Sequence, residues 1–277
     1  MRPPRAAPVL ALALLLRAGC GGSGTAAGAH HEYCVVGAGP AGLQLAAQLT
    51  GRDYIVLERA AAPGSFLKKY PRHRRLISIN KRYTGRASKE FNLRHDWNSL
   101  LRPDGSDAHR PEQPRFGSSY SEEYFPHADS YVRYLADYAQ GLNVRYGATV
   151  ERVARSRAPA AGFALTMAGS GTPLRCGHVI AATGLSTPHL PAIGGIEHAV
   201  GYEDMVLDPT FYRNKTVLIL GKQQSAFETA NHIYGETASV MMVSRGRPRL
   251  ACAIFPLKRL IFPLKRLIFP SNRLIFY

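Results

Sequence analysis

Three glycines with the spacing G-x-G-x-x-G, Gly37, Gly39 and Gly42, follow a short apolar stretch and precede a helix-like stretch. In such a turn the first glycine permits the bend, the second leaves room for a phosphate beside the main chain, and the third lets helix and strand pack closely. The helix behind the turn offers free N–H groups and its positive dipole end to the same anion. The spacing therefore indicates the binding of a pyrophosphate.

The segments around this turn complete a βαβ unit. An apolar strand is predicted at 33–36, a helix with one apolar face follows, and a second strand is predicted at 54–57. Glu58 closes the second strand, where an acid can accept hydrogen bonds from an adenosine ribose. Because strands, turn, helix and acid are in register, residues 33–58 indicate a dinucleotide-binding unit rather than a glycine-rich turn in some other α/β protein.

A second unit of the same organisation, with departures, is predicted at 216–243. Its turn reads G-K-Q-Q-S-A from Gly221 to Ala226, so that Gln223 stands where the second glycine is expected. Alanine at the third position is tolerated, whereas a glutamine at the second places a side chain where a pyrophosphate would approach. In the sequence Arg245 stands where the first unit has its acid, and an arginine there suits the 2′-phosphate of NADP.

The segment between the two units predicts a helix and several strands. Tyrosines and a leucine share one face of a helix at 131–138, a stripe that is typical of core packing. Short strands are predicted at 143–146, 149–153 and 163–167. A further apolar strand starts at His178 and ends in the triplet A-T-G, and two prolines after it suggest a crossover near 185–215.

The net charge of +16 is concentrated at the two ends of the chain, because residues 1–17 and 244–277 contain basic residues and no acid. This distribution gives no reason to expect a nucleic-acid surface on the core. A third basic stretch lies at 68–94. It could steer anions toward the site, but a solvated loop with local ion pairs is the favoured interpretation.

The N-terminal residues 1–29 resemble a signal peptide, with a charged start, a short apolar run and small residues after it. A disordered alanine-rich leader is the alternative. No segment is long and apolar enough to predict a transmembrane helix. Asn214 begins the sequon Asn-Lys-Thr, and together with the leader it favours the secretory pathway.

The four cysteines, Cys20, Cys34, Cys176 and Cys252, show no C-x-x-C spacing, so no redox dithiol is predicted. Cys34 lies within the first strand and is expected to be buried rather than reactive. The sequence leaves open whether a long-range disulfide joins any of them.

The last residues, 251–277, contain a seven-residue repeat with a proline in every copy, which forbids a continuous helix. Three interpretations stay open. The segment could be a basic apolar membrane-surface segment, a β-prone aggregating tail, or the product of an altered reading frame or splice. The third is favoured, because the repeat begins abruptly after an ordinary α/β pattern.

Two such units joined through an A-T-G strand resemble the flavoproteins with two dinucleotide-binding domains, which include flavin monooxygenases and pyridine-nucleotide disulfide reductases. Within that group the chain resembles the FAD-dependent oxidoreductase-domain flavoproteins associated with degradation in the endoplasmic reticulum. The resemblance covers about residues 30–250 and is carried by H-E-Y-C-V-V-G-A-G-P-A-G-L-Q-L, S-F-L-K-K-Y-P-R-H-R-R-L-I-S-I-N-K and S-A-F-E-T-A.

The resemblance implies cofactors, partners and site residues. It implies FAD on the first unit and NADPH on the second, and an activity in the endoplasmic reticulum lumen linked to disulfide reduction and degradation of misfolded client proteins. The expected partners are those clients and redox or degradation factors of that compartment. The implied FAD residues are Gly37, Gly39, Pro40, Ala41, Gly42, Glu58, Arg59, Thr183 and Gly184. The implied NADPH residues are Gly221, Ser225, Glu228 and Arg245. No catalytic side chain and no metal site is predicted, because flavin chemistry needs mainly positioning.

Several departures from the family pattern bear on function. The monooxygenase pattern F-x-G-x-x-x-H is not matched, since Ala199 replaces its Phe and Met205 its His. Gln223 weakens the expectation of tight NADPH binding. After Leu250 only the repetitive tail follows, where the family returns to finish the FAD domain, and the chain ends without a retention tetrapeptide.

We therefore predict an α/β protein with a Rossmann-like FAD-binding domain and a partial second NADPH-binding Rossmann unit. The expected divisions are a signal peptide at 1–29, an incomplete FAD-binding domain at 30–210, a partial NADPH-binding domain at 211–250 and an aberrant tail at 251–277. The predicted function is that of an FAD- and NADPH-dependent oxidoreductase in a truncated or mis-spliced form. One alternative is a non-catalytic adaptor without a working flavin site, and another is binding of anionic membranes through the basic tail.

Overall fold

The computed structural model describes residues 30–82, 96–100, 116–156, 162–185, 188–246 and 273–276. The predicted signal peptide and most of the repetitive tail lie outside these residues. The strands are β1 His30–Val36, β2 Tyr54–Leu57, β3 Val144–Arg145, β4 Val150–Arg155, β5 Phe163–Met167, β6 Leu174–Ala181, β7 Thr216–Leu220, β8 Ser239–Val243 and β9 Arg273–Phe276. The α-helices are α1 Pro40–Gln48, α2 Ser65–Lys69, α3 Ala128–Tyr138 and α4 Gln224–Ile233. Short 3₁₀-helices span Asp96–Asn98, Ile196–His198 and Pro209–Tyr212, and a π-helical turn spans Phe116–Tyr120.

The first sheet has six strands in the order β3-β2-β1-β6-β5-β4. β1 pairs in parallel with both β2 and β6, and β2 with β3. β4, β5 and β6 form an antiparallel meander at the other edge. The predicted α/β fold is confirmed, and the parallel half of this sheet positions the glycine-rich turn at the end of β1.

Successive residues of the central strands face opposite sides of the sheet, since side chains alternate along a strand. Val35 and Val56 are fully buried on the side covered by α1 and α3, where a large apolar cluster forms. Cys34 and Leu57 are buried on the other side, against the meander. Because both faces are covered, residues 33–36 of β1 and all of β2 are continuously apolar rather than alternating.

Helix α3 supports the first sheet through the aromatic stripe that the sequence predicts. Tyr131, Tyr134, Leu135 and Tyr138 are all buried in the large cluster. The Nδ1 atom of His127 accepts a hydrogen bond from the N–H of Asp129 at 3.3 Å and caps the helix. The stripe is core packing, as expected.

A disulfide between Cys34 of β1 and Cys176 of β6 crosses the centre of the first sheet, with 5.9 Å between the Cα atoms. Both residues are at most 1% exposed. The expectation that Cys34 is buried is confirmed, and the pairing that the sequence left open is resolved.

The second sheet has the order β8-β7-β9 with all strands parallel. Helix α4 packs on it over a small core that includes Met205, Tyr212 and Ile233. Strand β9 comes from the repetitive tail, in which the sequence interpretation placed no strand. Its residues Arg273–Phe276 pair with Thr216–Ile219 of β7, a position that suits the β-prone Leu-Ile-Phe run.

The predicted elements are present, with shifted boundaries. β5 and β7 match their predicted ranges, whereas β6 begins at Leu174, four residues before the predicted start at His178. Among the residues that the structure describes, no helix has the length and apolar character needed to span a bilayer.

Candidate functional site

The glycine-rich turn after β1 requires glycine at two positions for steric reasons. Gly37 has φ +109°, and a Cβ on it would lie 2.5 Å from the carbonyl oxygen of Ala182. A Cβ on Gly42 would lie 2.0 Å from the carbonyl oxygen of Gly37. Any side chain at either position would therefore displace main-chain atoms, and both glycines shape the turn rather than the space for a ligand.

Gly39 differs from its neighbours, because nothing in the fold itself demands a glycine there. Its φ of −78° and ψ of −179° are extended values that any residue adopts. A Cβ on it would meet no atom within 4 Å. Gly39 lines an open cavity in front of helix α1, so that the missing side chain leaves the N-terminal N–H groups accessible. This cradle fits a pyrophosphate, as the spacing predicts.

The cavity in front of the turn has a volume of about 960 Å³, within the range of small-molecule sites. We call it the dinucleotide cavity. Its lining includes the predicted FAD residues Gly37, Gly39, Pro40, Ala41, Glu58, Arg59, Thr183 and Gly184. Gly42 lies beneath the turn. Residues far apart in sequence are thus brought to one site by the parallel pairing of β1 with β2 and β6.

Glu58 holds the turn as well as facing the cavity. Its side chain is 5% exposed, and its Oε2 atom accepts a hydrogen bond from the N–H of Ala38 at 2.7 Å. Its Oε1 atom accepts from the N–H of Ala60 at 2.9 Å. A carboxylate oxygen has two lone pairs, so both oxygens can still accept from a ribose. This anchoring role does not follow from the sequence motif.

The end of β6 lies directly beside the turn. The N–H of Ala182 donates to the carbonyl of Val36 at 2.9 Å, and Thr183 and Gly184 follow at the cavity wall. Gly184 has φ +62°, a left-handed conformation that favours glycine. The A-T-G segment therefore turns away from the sheet at the point where the two units connect.

The second turn repeats the backbone geometry of the first. The N–H of Gly221 donates to the carbonyl of Val243 at 2.9 Å, as that of Gly37 donates to Leu57 at 2.8 Å. Gly221 has φ +151°, and the third position, Ala226, lies 3.6 Å from a Cβ placed on it. Gln223 holds the N-cap position of helix α4, as Gly39 does at α1, and its side chain makes no capping hydrogen bond.

The strand register corrects the alignment of Arg245. Leu220 pairs with Val243 as Val36 pairs with Leu57, so the residue that corresponds to Glu58 is Ser244. Arg245 corresponds to Arg59. The sequence alone placed Arg245 opposite Glu58 because it does not show at which residue the ladder ends. Ser244 is neutral, so no acid stands at the end of β8 to repel a 2′-phosphate.

A second cavity, of about 560 Å³, lies between the first unit and helix α4. We call it the bridging cavity. It includes the predicted NADPH residues Ser225 and Glu228. It shares side chains with the dinucleotide cavity, namely Phe66, Leu67, Tyr70, Trp97 and Leu185. The two predicted cofactor sites are therefore adjacent. Gly221 and Arg245 lie at the second turn, outside the lining of either cavity.

Glu228 sits in a half-buried position in the bridging cavity. Burial raises the pKa of its carboxyl group, and a hydrogen bond from Gln224 to its Oε1 atom at 3.3 Å partly opposes this shift. Burial also raises the pKa of Tyr202 in the same cavity. The bridging cavity thus disfavours negative charge on its own side chains.

Arg72 and His73 connect the first unit to the second. The main-chain N–H of Arg72 donates to the Tyr202 hydroxyl at 3.0 Å, and its guanidinium donates to the carbonyl of Met205 at 2.9 Å. The Nε2 atom of His73 hydrogen-bonds with the Thr229 hydroxyl at 3.2 Å. Sequence reasoning did not identify these contacts, because they depend on packing between distant segments.

Three further arginines of this stretch form local ion pairs, in agreement with the favoured interpretation. Arg74 pairs with Asp129, and Arg75 pairs with Glu123 at 2.6 Å. Arg82 pairs with Glu122 at 2.9 Å. Residues 83–94 of the stretch lie outside the described residues.

Trp97, the only tryptophan in the sequence, lines both cavities. Its Nε1–H donates to the carbonyl of Ser78 at 2.9 Å, and its ring packs edge-on against Tyr131. A half-buried tryptophan with its polar atom fixed is a rigid wall for a ligand. Sequence reasoning missed this residue, although its uniqueness in the chain was a signal that could have marked it.

The fold and the site define a protein with two dinucleotide-binding units, an arrangement found in flavin- and pyridine-nucleotide-dependent oxidoreductases. The model of the pyridine nucleotide-disulphide oxidoreductase family matches residues 34–254. The chain belongs to this family. Family and fold together support FAD and NADPH as the cofactors.

Two curated relatives resemble this chain over most of its length. The FAD-dependent oxidoreductase domain-containing protein 2 of Mus musculus is 50% identical over 232 residues, which is 81% of this chain and 34% of the relative. The protein of the same name from Danio rerio is 46% identical over 226 residues, 80% of this chain and 32% of the relative. The chain therefore spans about a third of the length of these relatives.

Among solved structures, the fold is similar to that of a flavin-containing monooxygenase from Stenotrophomonas maltophilia. The TM-score is 0.60 at 18% sequence identity, and the match covers 80% of this chain and 59% of the other. This similarity concerns the fold.

Proposed function

We propose that the chain binds FAD in the dinucleotide cavity and NADPH on the second unit, and that the complete protein passes electrons from NADPH to a disulfide partner. The observation that carries the proposal is the open cradle at Gly39. It faces a cavity that also contains the buried acid at the end of β2 and the A-T-G segment after β6. The non-catalytic adaptor is not favoured, because an adaptor does not need a formed cavity for a dinucleotide.

The residues of the chain have positioning roles. The N-terminal N–H groups of α1 would hold the pyrophosphate, and Glu58 would accept from the adenosine ribose while it keeps Ala38 in place. The chemistry that FAD would supply when bound is to accept a hydride from nicotinamide and to pass the electrons on. The apolar side chains shared by the two cavities would exclude water from the place where the cavities meet.

At the second unit, Ser225 and Glu228 would face the nucleotide in the bridging cavity. Burial raises the pKa of the Glu228 carboxyl group. Arg245 is exposed after β8 and suits a 2′-phosphate. These features favour NADPH over NADH.

We further propose that the protein works in the lumen of the endoplasmic reticulum. The buried Cys34–Cys176 disulfide supports an oxidising compartment, where such bonds persist. Asn214 of the sequon is exposed in the loop before β7, which is compatible with glycosylation. The predicted signal peptide points in the same direction. The degradation-linked role and the misfolded clients and redox factors as partners rest on the family resemblance alone.

The visible absorption spectrum of the purified chain tests flavin binding, followed by addition of NADPH. We expect a yellow flavin band that bleaches with NADPH. The variant Gly39→Val should fold, since its backbone angles suit any residue, but should purify without flavin because the side chain fills the cradle.

The matched control is Gly171→Val. A Cβ on Gly171 would also meet no atom within 4 Å, and this glycine does not line the dinucleotide cavity. The control should retain the flavin. A colourless unmodified chain that gains no flavin on refolding with FAD, or a Gly39→Val chain as yellow as the control, would refute the proposed site.

A further inference from the structure

We infer that Gln223 occupies the position that a pyrophosphate would take on the second turn, so that this unit recognises a pyridine dinucleotide mainly through its 2′-phosphate end. The inference rests on the proposed function, because it assumes that the second unit binds a nucleotide. Nucleotide binding would then depend on two parts of the unit, the turn at Gln223 and the segment after β8. Mutations in the two parts should affect different groups of the nucleotide.

The two turns can be compared residue by residue because their hydrogen bonds coincide. The N–H of Leu43 donates to the carbonyl of Gly39 at 3.0 Å, and the N–H of Phe227 donates to that of Gln223 at 3.2 Å. Gly39 has φ −78° and ψ −179°, and Gln223 has φ −94° and ψ −176°. Similar backbone angles at equivalent positions direct the Cβ atoms the same way.

The direction of that Cβ decides what Gln223 does. At Gly39 it points into free space in the dinucleotide cavity, the space assigned to the pyrophosphate. Gln223, which is exposed, therefore directs its Cβ atom toward the equivalent space at α4, and its side chain extends from there. A phosphate would be held a side chain's length further from the N–H groups of α4. The attraction of a helix N-terminus for an anion falls off within the first turn, so this contact is weakened.

The segment after β8, at the other end of the unit, favours the binding of an anion. The Nζ atom of Lys222 lies 3.0 Å from the place that a Cβ on Gly246 would take, so this lysine reaches across to the segment after β8. Arg245 is the preceding residue and is exposed. With neutral Ser244 in the acid's position, Lys222 and Arg245 place two basic side chains at this end, a charge that suits a 2′-phosphate.

Isothermal titration calorimetry of the full chain with NADPH and with 2′-AMP separates the two contributions, since 2′-AMP has the 2′-phosphate and lacks the pyrophosphate. The titrations are made without oxygen after the flavin has been reduced with dithionite, so that no hydride transfer contributes heat. In the unmodified chain NADPH should bind no more than about tenfold more tightly than 2′-AMP. In Gln223→Gly the affinity for NADPH should rise about tenfold, and that for 2′-AMP should change less than about twofold. Glycine is an accepted N-cap residue, so the helix should be retained.

Companion variants keep the result interpretable. Gln223→Ala removes the carboxamide without adding backbone freedom and should also tighten NADPH binding. The reciprocal change Gly39→Gln should abolish flavin binding and leave the affinity for 2′-AMP unchanged. Arg245→Ala should weaken both NADPH and 2′-AMP.

Unchanged NADPH affinity in both Gln223 variants would overturn the inference, as would NADPH binding far more tightly than 2′-AMP to the unmodified chain. A chain that retains FAD but binds neither nucleotide would also overturn it, while flavin binding would stand. A chain that binds 2′-AMP as expected but never takes up FAD would contradict the proposed function and leave this inference supported.

Discussion

Glu58 shows how one side chain serves both the fold and the site. Two main-chain N–H groups, those of Ala38 and Ala60, donate to its two carboxylate oxygens within a buried environment. The dinucleotide-binding motif assigns this acid to a ribose, yet the structure shows that it also fixes the middle residue of the glycine-rich turn. Loss of the acid should therefore disturb the protein even without a ligand.

The variant Glu58→Gln should lower the free energy of unfolding by about 1–3 kcal/mol, because an amide group replaces one acceptor and leaves a buried N–H unsatisfied. Urea unfolding of the flavin-free chain measures this effect. Glu151→Gln is the control, since Glu151 is exposed on β4 and should change stability little. Equal stability of the Glu58 variant and the unmodified chain would show that the carboxylate does not anchor the turn.

At the scale of elements, the disulfide joins the two strands that deliver the site. β1 carries the glycine-rich turn and β6 carries the A-T-G segment, and Cys34 and Cys176 connect them across 142 residues of chain. Cross-linking of such distant positions restricts the unfolded chain and stabilises the fold. Both strands are already paired by main-chain hydrogen bonds, so the disulfide adds to an existing contact rather than creating one.

The double variant Cys34→Ala, Cys176→Ala should lower the free energy of unfolding by about 2–4 kcal/mol. Urea unfolding under non-reducing conditions measures it, with Cys252→Ala as the control. A strong reductant should bring the unmodified chain close to the double variant. Identical unfolding curves for all these samples would mean that the bond does not contribute to stability.

The sequence predicted those elements that depend on local pattern. β7 was predicted at its observed bounds because an apolar run before a glycine turn is a local signal, and the role of Gly37 follows from the motif. The Cys34–Cys176 pairing and the contacts of Arg72 depend on which distant segments of the chain meet, and no local pattern encodes that. The one-residue shift at Arg245 has a related cause, since only the ladder with β7 shows where β8 ends.

At the scale of the whole molecule, a short segment of the first unit holds the second unit in place. Burial lowers the pKa of His73 from 6.5 to about 4, with smaller contributions from the nearby His232 and Arg72. The imidazole of His73 is therefore uncharged in the folded chain at neutral pH. This uncharged form makes the hydrogen bond with Thr229 of α4. Between pH 6.5 and about 4 the unfolded chain binds this proton more readily than the folded chain does.

Stability should consequently fall as pH decreases through this window, and the contribution of His73 should be absent above about pH 6.5. In His73→Gln the free energy of unfolding should decrease less between about pH 7 and pH 5 than in the unmodified chain. Urea unfolding at both pH values provides the measurement. His198→Gln, at a side chain that is 81% exposed, serves as the control and should follow the unmodified chain. A His73 variant with the same pH dependence would exclude this imidazole as the source.

The five side chains common to both cavities border each of them. A molecule in one cavity that moves Tyr70 therefore reshapes the other cavity. Thermodynamic linkage then demands reciprocity: by whatever factor the first occupant alters the affinity for the second, the second alters the affinity for the first by the same factor. The order in which the two ligands bind does not change their occupancies at equilibrium, although it can change the rate at which both cavities are filled.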